Sequence, residues 1–249
     1  MADERSERPT GKRLFVGVRV SVQTANALAQ AAETLARRAK DARLDIKWVA
    51  PTNYHVTMKF LGWTREDAIH AVRDAVEAGV AAYAREHTTI GTGAVAPLKF
   101  RTARLGAFPS LDKANVLWAG VEDPKPLTQL FGHVETALVG IGYAAEKRGF
   151  HPHVTLGRLR ESRPVRDVVL PLSEQMFSET RVDGVTLFES ETKSSGSVYR
   201  DLHRIDFKTA QNGPFDPEKR QTGALELGDE TKFDTQSETD DGWPRGHGH

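Results

Sequence analysis

The sequence predicts a protein of mixed helices and strands, laid out as two similar lobes. Two observations carry this. The order strand–helix–strand–strand–helix occurs once around His55 and again, more loosely, around His153. Each round holds the same phrase: "YHVTMKFLG" (Tyr54 to Gly62) and "HPHVTLGR" (His151 to Arg158) both read His-Val-Thr and then a bulky apolar residue. This is a duplication of layout rather than a short-period repeat array.

Taken in order, residues 1–12 read as a solvated polar arm. "RLFVGVRV" is short, apolar and β-branched, hence a strand. Ser21 stands where an N-cap belongs, before "VQTANALAQAAETLARRAKDA", whose alanines and leucines recur at helical spacing. "DIKWVAPTNYHVTMKFLG" gives two extended segments split at Pro51. Thr64 is placed to cap the next helix, "REDAIHAVRDAVEAGVAAYA". "HTTIGTGAVAPLKFR" and "RTARLGAFPS" predict strands with turns between them, and "NVLWAGVED" a buried strand. "PKPLTQLFGHVETALVGIGY" is a helix opening after prolines, followed by the second motif and a Pro-flanked connection. "ETRVDGVTLFESE" and "SSGSVYRDLHRIDFK" then predict a closing hairpin turned through "TKSSGS".

From Ala210 branched apolar residues thin out and no period is sustained, so residues 210–249 read as a disordered tail. The tail holds four Lys or Arg against nine Asp or Glu, although the whole chain balances 34 against 34. The body is therefore mildly basic, and an anionic ligand belongs there. An acidic tail lying over a basic groove, competing with the ligand, is the corresponding expectation. The chain has no cysteine, which excludes disulfides, thiol nucleophiles and cysteine-bound metal. No apolar run approaches the roughly 20 residues of a membrane helix, and the polar start resembles no secretion signal. A cytoplasmic protein is expected.

Alternate side chains of a strand share a face. The plain alternation puts His55, Thr57 and Lys59 on one face, and Val56, Met58 and Phe60 on the other. His153 and Thr155 likewise face away from Val154 and Leu156. Two such strands side by side gather two imidazoles and two hydroxyls around one point. Imidazole titrates near neutrality, so one ring can take a proton from water while the other gives one to a leaving oxygen. Threonine hydroxyls can donate to non-bridging phosphate oxygens, with Arg158 and Lys59 adding positive charge.

These phrases resemble the paired His-x-Thr/Ser-x signatures of the two-histidine (2H) phosphoesterase superfamily. More closely they resemble its bacterial LigT-like RNA 2',3'-cyclic phosphodiesterases, over about Arg13 to Phe207. Lys59 and Gly157 are acceptable variants of variable motif positions, while the arm and tail lie outside the likeness. The resemblance implies a bilobal α+β fold: two pseudo-symmetric lobes with antiparallel sheets flanked by helices, around a central groove. It further implies hydrolysis of RNA 2',3'-cyclic phosphate ends to 2'-phosphomonoesters without metal or other cofactor, with a reversible 2'–5' joining reaction as a secondary activity. His55 would be the proton donor and His153 the proton acceptor, with Thr57 and Thr155 holding the phosphate. The partner would be RNA or a cyclic nucleotide, and the protein a monomer with no obligate protein partner.

Other readings remain beside this one. One is a relative acting on another nucleotide, such as a 2'–5' oligonucleotide or ADP-ribose 1'',2''-cyclic phosphate; another is a non-catalytic RNA-end binding module. His151 with His153, and His247 with His249, form His-x-His pairs that can chelate a metal. No carboxylate cluster accompanies them, so adventitious binding is the expectation there. Trp48, Trp118 and Phe150 read as core residues, and Phe150, beside the second motif, is also placed to stack on a nucleobase.

Overall fold

In a computed structural model, which describes residues 10–88, 95, 97–193 and 196–210, strands and helices follow one another much as the sequence reads. The first half comprises β1 (Gly11–Arg19), α1 (Val22–Asp41), β2 (Ile46–Trp48), β3 (His55–Arg65) and α2 (Ile69–Glu86). Next come β4 (Leu98–Ser110), β5 (Lys113–Val121), α3 (Lys125–Val139) and β6 (His153–Arg163). The short α4 (Arg166–Val169), β7 (Met176–Val182), β8 (Gly184–Lys193), β9 (Gly196–Asp206) and α5 (Phe207–Ala210) complete the described chain.

The strands form one antiparallel sheet in the order β7-β4-β5-β6-β3-β1-β8-β9, with β2 added against β6. The two motif strands, β3 and β6, stand at its centre. Each carries its own wing: β1, β8 and β9 beside β3, and β5, β4 and β7 beside β6. The expected α+β layout of two antiparallel halves is thus realised as two wings of one sheet.

Ser21 caps α1 as its position requires, its Oγ accepting the Thr24 N–H at 3.1 Å. The same turn is pinned to β7: the Ser21 N–H donates to Thr180 Oγ1 at 3.1 Å, and Thr180 Oγ1 lies 3.0 Å from Thr24 Oγ1. Helix α1 so covers the β6–β7 side, while α2 packs on α3 and reaches β8 and β9. Beneath the helices lie Leu14, Val16 and Val18 of β1, Val56, Met58 and Leu61 of β3, and Val154 and Leu156 of β6, all buried. Full burial of a Val or Leu side chain stabilises by about 1.5–3 kcal/mol, so both motif strands are anchored from behind.

Three expectations need correction. Thr64 caps nothing. It is buried within β3 against the Tyr143 hydroxyl at 3.2 Å, and a 3-10 turn, Glu66–Ala68, leads into α2 instead. "RTARLGAFPS" is not set off by a turn but continues from Leu98 as the single strand β4, the local irregularity being absorbed at Arg104, where φ is +62° and the register to β5 slips. Finally, "ETRVDGVTLFESE" is not one strand. It divides at Asp183, with β7 on one edge of the sheet paired to β4, and β8 in the other wing paired to β1. The closing hairpin β8–β9 forms, ending at the Lys193↔Gly196 pair. The first nine residues of the predicted arm, the tail beyond Ala210 with its His247–His249 pair, and most of "TTIGTGAVA" lie outside the described residues.

Candidate active site

On β3, His55 and Thr57 are half-buried and Val56 and Met58 buried, as plain alternation requires. The alternation then breaks. Thr57 pairs with Gly17 of β1 but Lys59 pairs with Val16, so Met58 is an extra residue, a bulge. A slip of one residue turns every later side chain to the other face. Lys59 therefore points behind the sheet, where its Nζ meets Glu135 of α3 at 2.8 Å and donates to the Ala144 carbonyl at 2.8 Å. Phe60 takes the front face instead, 42% exposed with its ring 6.1 Å from that of Phe15.

The second motif repeats the device. Thr155 pairs with Trp118 of β5 and Gly157 with Leu117, leaving Leu156 as the extra residue. Arg158 consequently joins His153 and Thr155 on the front, and its charge acts on both His55 and His153. The two bulges thus have opposite outcomes for the expected cations: Lys59 leaves the site, and Arg158 stays on its face.

The two strands meet at one register pair, Val56↔Val154. The two motifs meet at this pair, near enough that His153 acts electrostatically on His55. Within the first motif, His55 Nε2 lies 3.0 Å from Thr57 Oγ1.

Both rings are held in the same way. His55 Nδ1 lies 2.6 Å from the Asn53 carbonyl oxygen, and His153 Nδ1 lies 2.8 Å from that of His151. A carbonyl only accepts, so each Nδ1 carries its proton and donates, which leaves Nε2 as the atom available for proton transfer. Loss of hydration is the largest influence on both rings and disfavours their charged forms, against the opposing carbonyl bonds. Positive charge lowers them further: Arg19, His153 and Arg158 act on His55, and His151 and Arg158 on His153. Both pKa values are pushed down to about 4.

Each histidine also has an aromatic wall from its own wing. His55 sits 4.9 Å from the Phe15 ring, 5.7 Å from Phe188 and 5.2 Å, edge-on, from Tyr199. Arg19, the register partner of His55, lies over Phe188 at 4.9 Å and is salt-bridged to Asp201. His153 meets Phe108 edge-on at 5.0 Å, and Phe108 lies 5.1 Å from Trp118. The Trp118 indole lies across Gly106 and Gly120, where an added Cβ would come within 2.3 Å and 3.2 Å of its ring. Sequence reading missed Phe15, Phe108, Phe188 and Tyr199, and took Trp118 for core. Glycines at 106 and 120, flanking Trp118 on adjacent strands, were the available signal.

Of the residues singled out from sequence, His55, Thr57, His153, Thr155 and Arg158 come together at the seam between the wings. Lys59 does not: it is an ion-paired residue of the reverse face. Phe150 stacks on Phe131 of α3 at 4.4 Å with nearly parallel rings, so one of its faces is already covered by packing. Among the described residues, no three His, Asp or Glu side chains converge where a metal ion would sit. Nor is any described helix long and apolar enough to cross a membrane.

Comparison with known proteins gives a consistent result. An RNA 2',3'-cyclic phosphodiesterase of Archaeoglobus fulgidus is 30% identical over 158 residues, covering 63% of this chain and 81% of that one. Its counterpart in Aeropyrum pernix is 30% identical over 177 residues, 68% of this chain and 89% of that one. In fold, the chain resembles the Thermus thermophilus protein TT0787, at a TM-score of 0.61 and 24% identity over 79% of this chain and 98% of that one. It also resembles E. coli LigT complexed with 3'-AMP, at a TM-score of 0.55 and 20% identity over the same shares. The sequence model of the 2'-5' RNA ligase superfamily matches residues 26–194, a span that includes both His-Val-Thr motifs. With two front-facing His-x-Thr strands meeting at the centre of one antiparallel sheet, the chain belongs to the 2'-5' RNA ligase superfamily.

Proposed function

We propose that this protein hydrolyses 2',3'-cyclic phosphate ends of RNA to 2'-phosphomonoesters, by acid–base catalysis between two histidines. The observation that carries the proposal is the matched anchoring of His55 and His153, each with Nδ1 tied to a carbonyl two residues earlier and Nε2 left for chemistry. The curated relatives named as RNA 2',3'-cyclic phosphodiesterases support the same substrate.

In this reading the cyclic phosphate sits between the rings on the front of β3 and β6. His153 Nε2 takes a proton from water as the water oxygen bonds to phosphorus. The bond from phosphorus to the 3' oxygen breaks, and His55, protonated at Nε2, delivers its proton to that oxygen. The products are a 2'-phosphomonoester and a free 3' hydroxyl, and the two histidines end with their protonation states exchanged. Thr57 and Thr155 donate to the non-bridging oxygens and Arg158 offsets their charge, all stronger in the transition state than before it. No bond-making step calls for a metal. Membership of the 2'-5' RNA ligase superfamily also favours the joining reaction, in which an RNA 5' hydroxyl takes the place of water and yields a 2'–5' linkage. We place the protein in the cytoplasm, acting as a single chain.

The test is turnover of a 2',3'-cyclic mononucleotide and of an oligonucleotide ending in a 2',3'-cyclic phosphate, with and without EDTA. Activity is expected to survive chelation and to give the 2'-phosphate. His55→Ala and His153→Ala should each lower the rate by about 10² or more. Full activity in either variant would end this mechanism, while binding without turnover in the intact protein would favour an RNA-end binding module.

A further inference from the structure

Beyond the histidines, the front face of β3 continues as a row. His55, Thr57, Phe60 and Trp63 pair with Arg19, Gly17, Phe15 and Arg13 of β1, positions spaced regularly by two residues. At about 3.3 Å of rise per residue, neighbours in the row stand roughly 7 Å apart, close to the span of one extended nucleotide. The even spacing exists because Met58 and a second extra residue, Leu61, are each absorbed by a slip in register.

The outer two members of the row are aromatic and uncovered. Phe60 is 42% exposed and Trp63 is 54% exposed, and among the described residues they are the aromatic side chains that stand open to solvent. Both are seated as platforms. Phe15 joins the Phe60 ring to the site, lying 6.1 Å from Phe60 and 4.9 Å from His55. Trp63 lies over Gly11 of β1, where an added Cβ would come 2.8 Å from the indole. A side chain at position 11 would meet both the indole and, at 2.5 Å, the Thr64 carbonyl oxygen, so glycine lets the ring lie against the strand. Arg13, exposed beside Trp63, supplies positive charge at the far end of the row.

We propose that Phe60 and Trp63 form a base-stacking platform for the nucleotides that precede the cyclic phosphate, so that the substrate is a single-stranded RNA end rather than a mononucleotide. The inference rests on the reading of His55 and His153 as the cyclic-phosphate site. An apolar protein partner would suit two rings, but it would not account for their regular row with His55 and Thr57 or for the arginine at its end. An RNA strand does: every base offers a π-face to such rings, without sequence preference.

The experiment compares kcat/KM on a single-stranded hexanucleotide ending in a 2',3'-cyclic phosphate with kcat/KM on the cyclic mononucleotide of the same terminal base. Fluorescence anisotropy of a labelled hexanucleotide ending in a 2'-phosphate is measured alongside. In the Phe60→Ala/Trp63→Ala double variant the hexanucleotide-to-mononucleotide ratio should fall about tenfold or more, and hexanucleotide affinity in proportion. Phe60→Tyr and Trp63→Phe, which keep a ring, should retain most of both. A ratio and an affinity within about twofold of the unaltered protein would overturn the platform, as would an unaltered protein that shows no preference for the hexanucleotide. Absence of turnover on both substrates would instead overturn the cyclic-phosphodiesterase reading, and anisotropy would then decide the platform by itself.

Discussion

The Lys59 ammonium lies 2.8 Å from one Glu135 carboxylate oxygen and 3.0 Å from the other, in a pair almost closed to solvent. Lys59 also donates to the Ala144 carbonyl, and Glu135 accepts the Glu146 N–H. The first motif strand is thereby fastened to α3 and to the loop that leads into the second motif. Removing one partner of a buried pair leaves the other charged and uncompensated, so Lys59→Met should cost about 3–5 kcal/mol of folding stability. Lys59→Met/Glu135→Leu should recover part of the loss. Urea unfolding of the unaltered protein and the two variants measures both, and a Lys59→Met variant of native stability would show the pair to be idle.

The rates should depend on pH differently for free and bound protein. Without substrate, desolvation and neighbouring positive charge hold both imidazoles near pKa 4, so both are neutral at pH 7. The proton that the proposed mechanism needs on His55 is then scarce, and kcat/KM, which reports the free enzyme, should fall as pH rises above about 4. A phosphodiester anion between the rings favours their charged forms, raising both pKa values in the complex. The kcat profile should therefore lie alkaline of the kcat/KM profile. Coincident profiles would contradict this.

Arg158 supplies a separable test, because its charge lowers both histidines and, on the proposed mechanism, offsets that of the substrate phosphate. Arg158→Gln should shift the kcat/KM profile to higher pH, as both imidazoles are relieved of a positive neighbour. It should also raise KM about tenfold or more, the usual scale of a lost charge-assisted hydrogen bond. A KM effect without any shift in profile would place the arginine farther from the rings than its influence on them requires.

Gly106 leaves room for Trp118, and an added Cβ would come 2.3 Å from the indole. Gly106→Ala should destabilise by about 1–3 kcal/mol through overpacking. In a Trp118→Val background the same substitution should cost much less, since the clashing ring is gone. Equal costs in both backgrounds, read from thermal unfolding, would remove the indole as the cause.

Much of this arrangement is legible in the residues themselves. Period-two alternation put His55 and Thr57 on one face and Val56 and Met58 on the other, and Ser21 marked the start of α1 by simple cap chemistry. Alternation failed one residue past each motif. A bulge is set by how a strand pairs with its neighbour, β1 for Met58 and β5 for Leu156, and a single strand's sequence does not encode its partner's register. The same limit hid the division at Asp183, because "ETRVDGVTLFESE" is continuous in composition while its halves belong to different wings. The aromatic walls were hidden for a related reason. Phe15 and Phe188 are 173 positions apart in number, and only the β1–β8 pairing makes them neighbours.

The Val56↔Val154 seam has a further consequence. A molecule with duplicated parts usually gains a spare, so that damage to one copy leaves the other at work. Here the copies meet at a single residue pair, and each brings one imidazole to the seam. Each half carries one of the two histidines. On the proposed mechanism the duplication gives the protein no redundancy at all, and an injury to either strand's registration silences both.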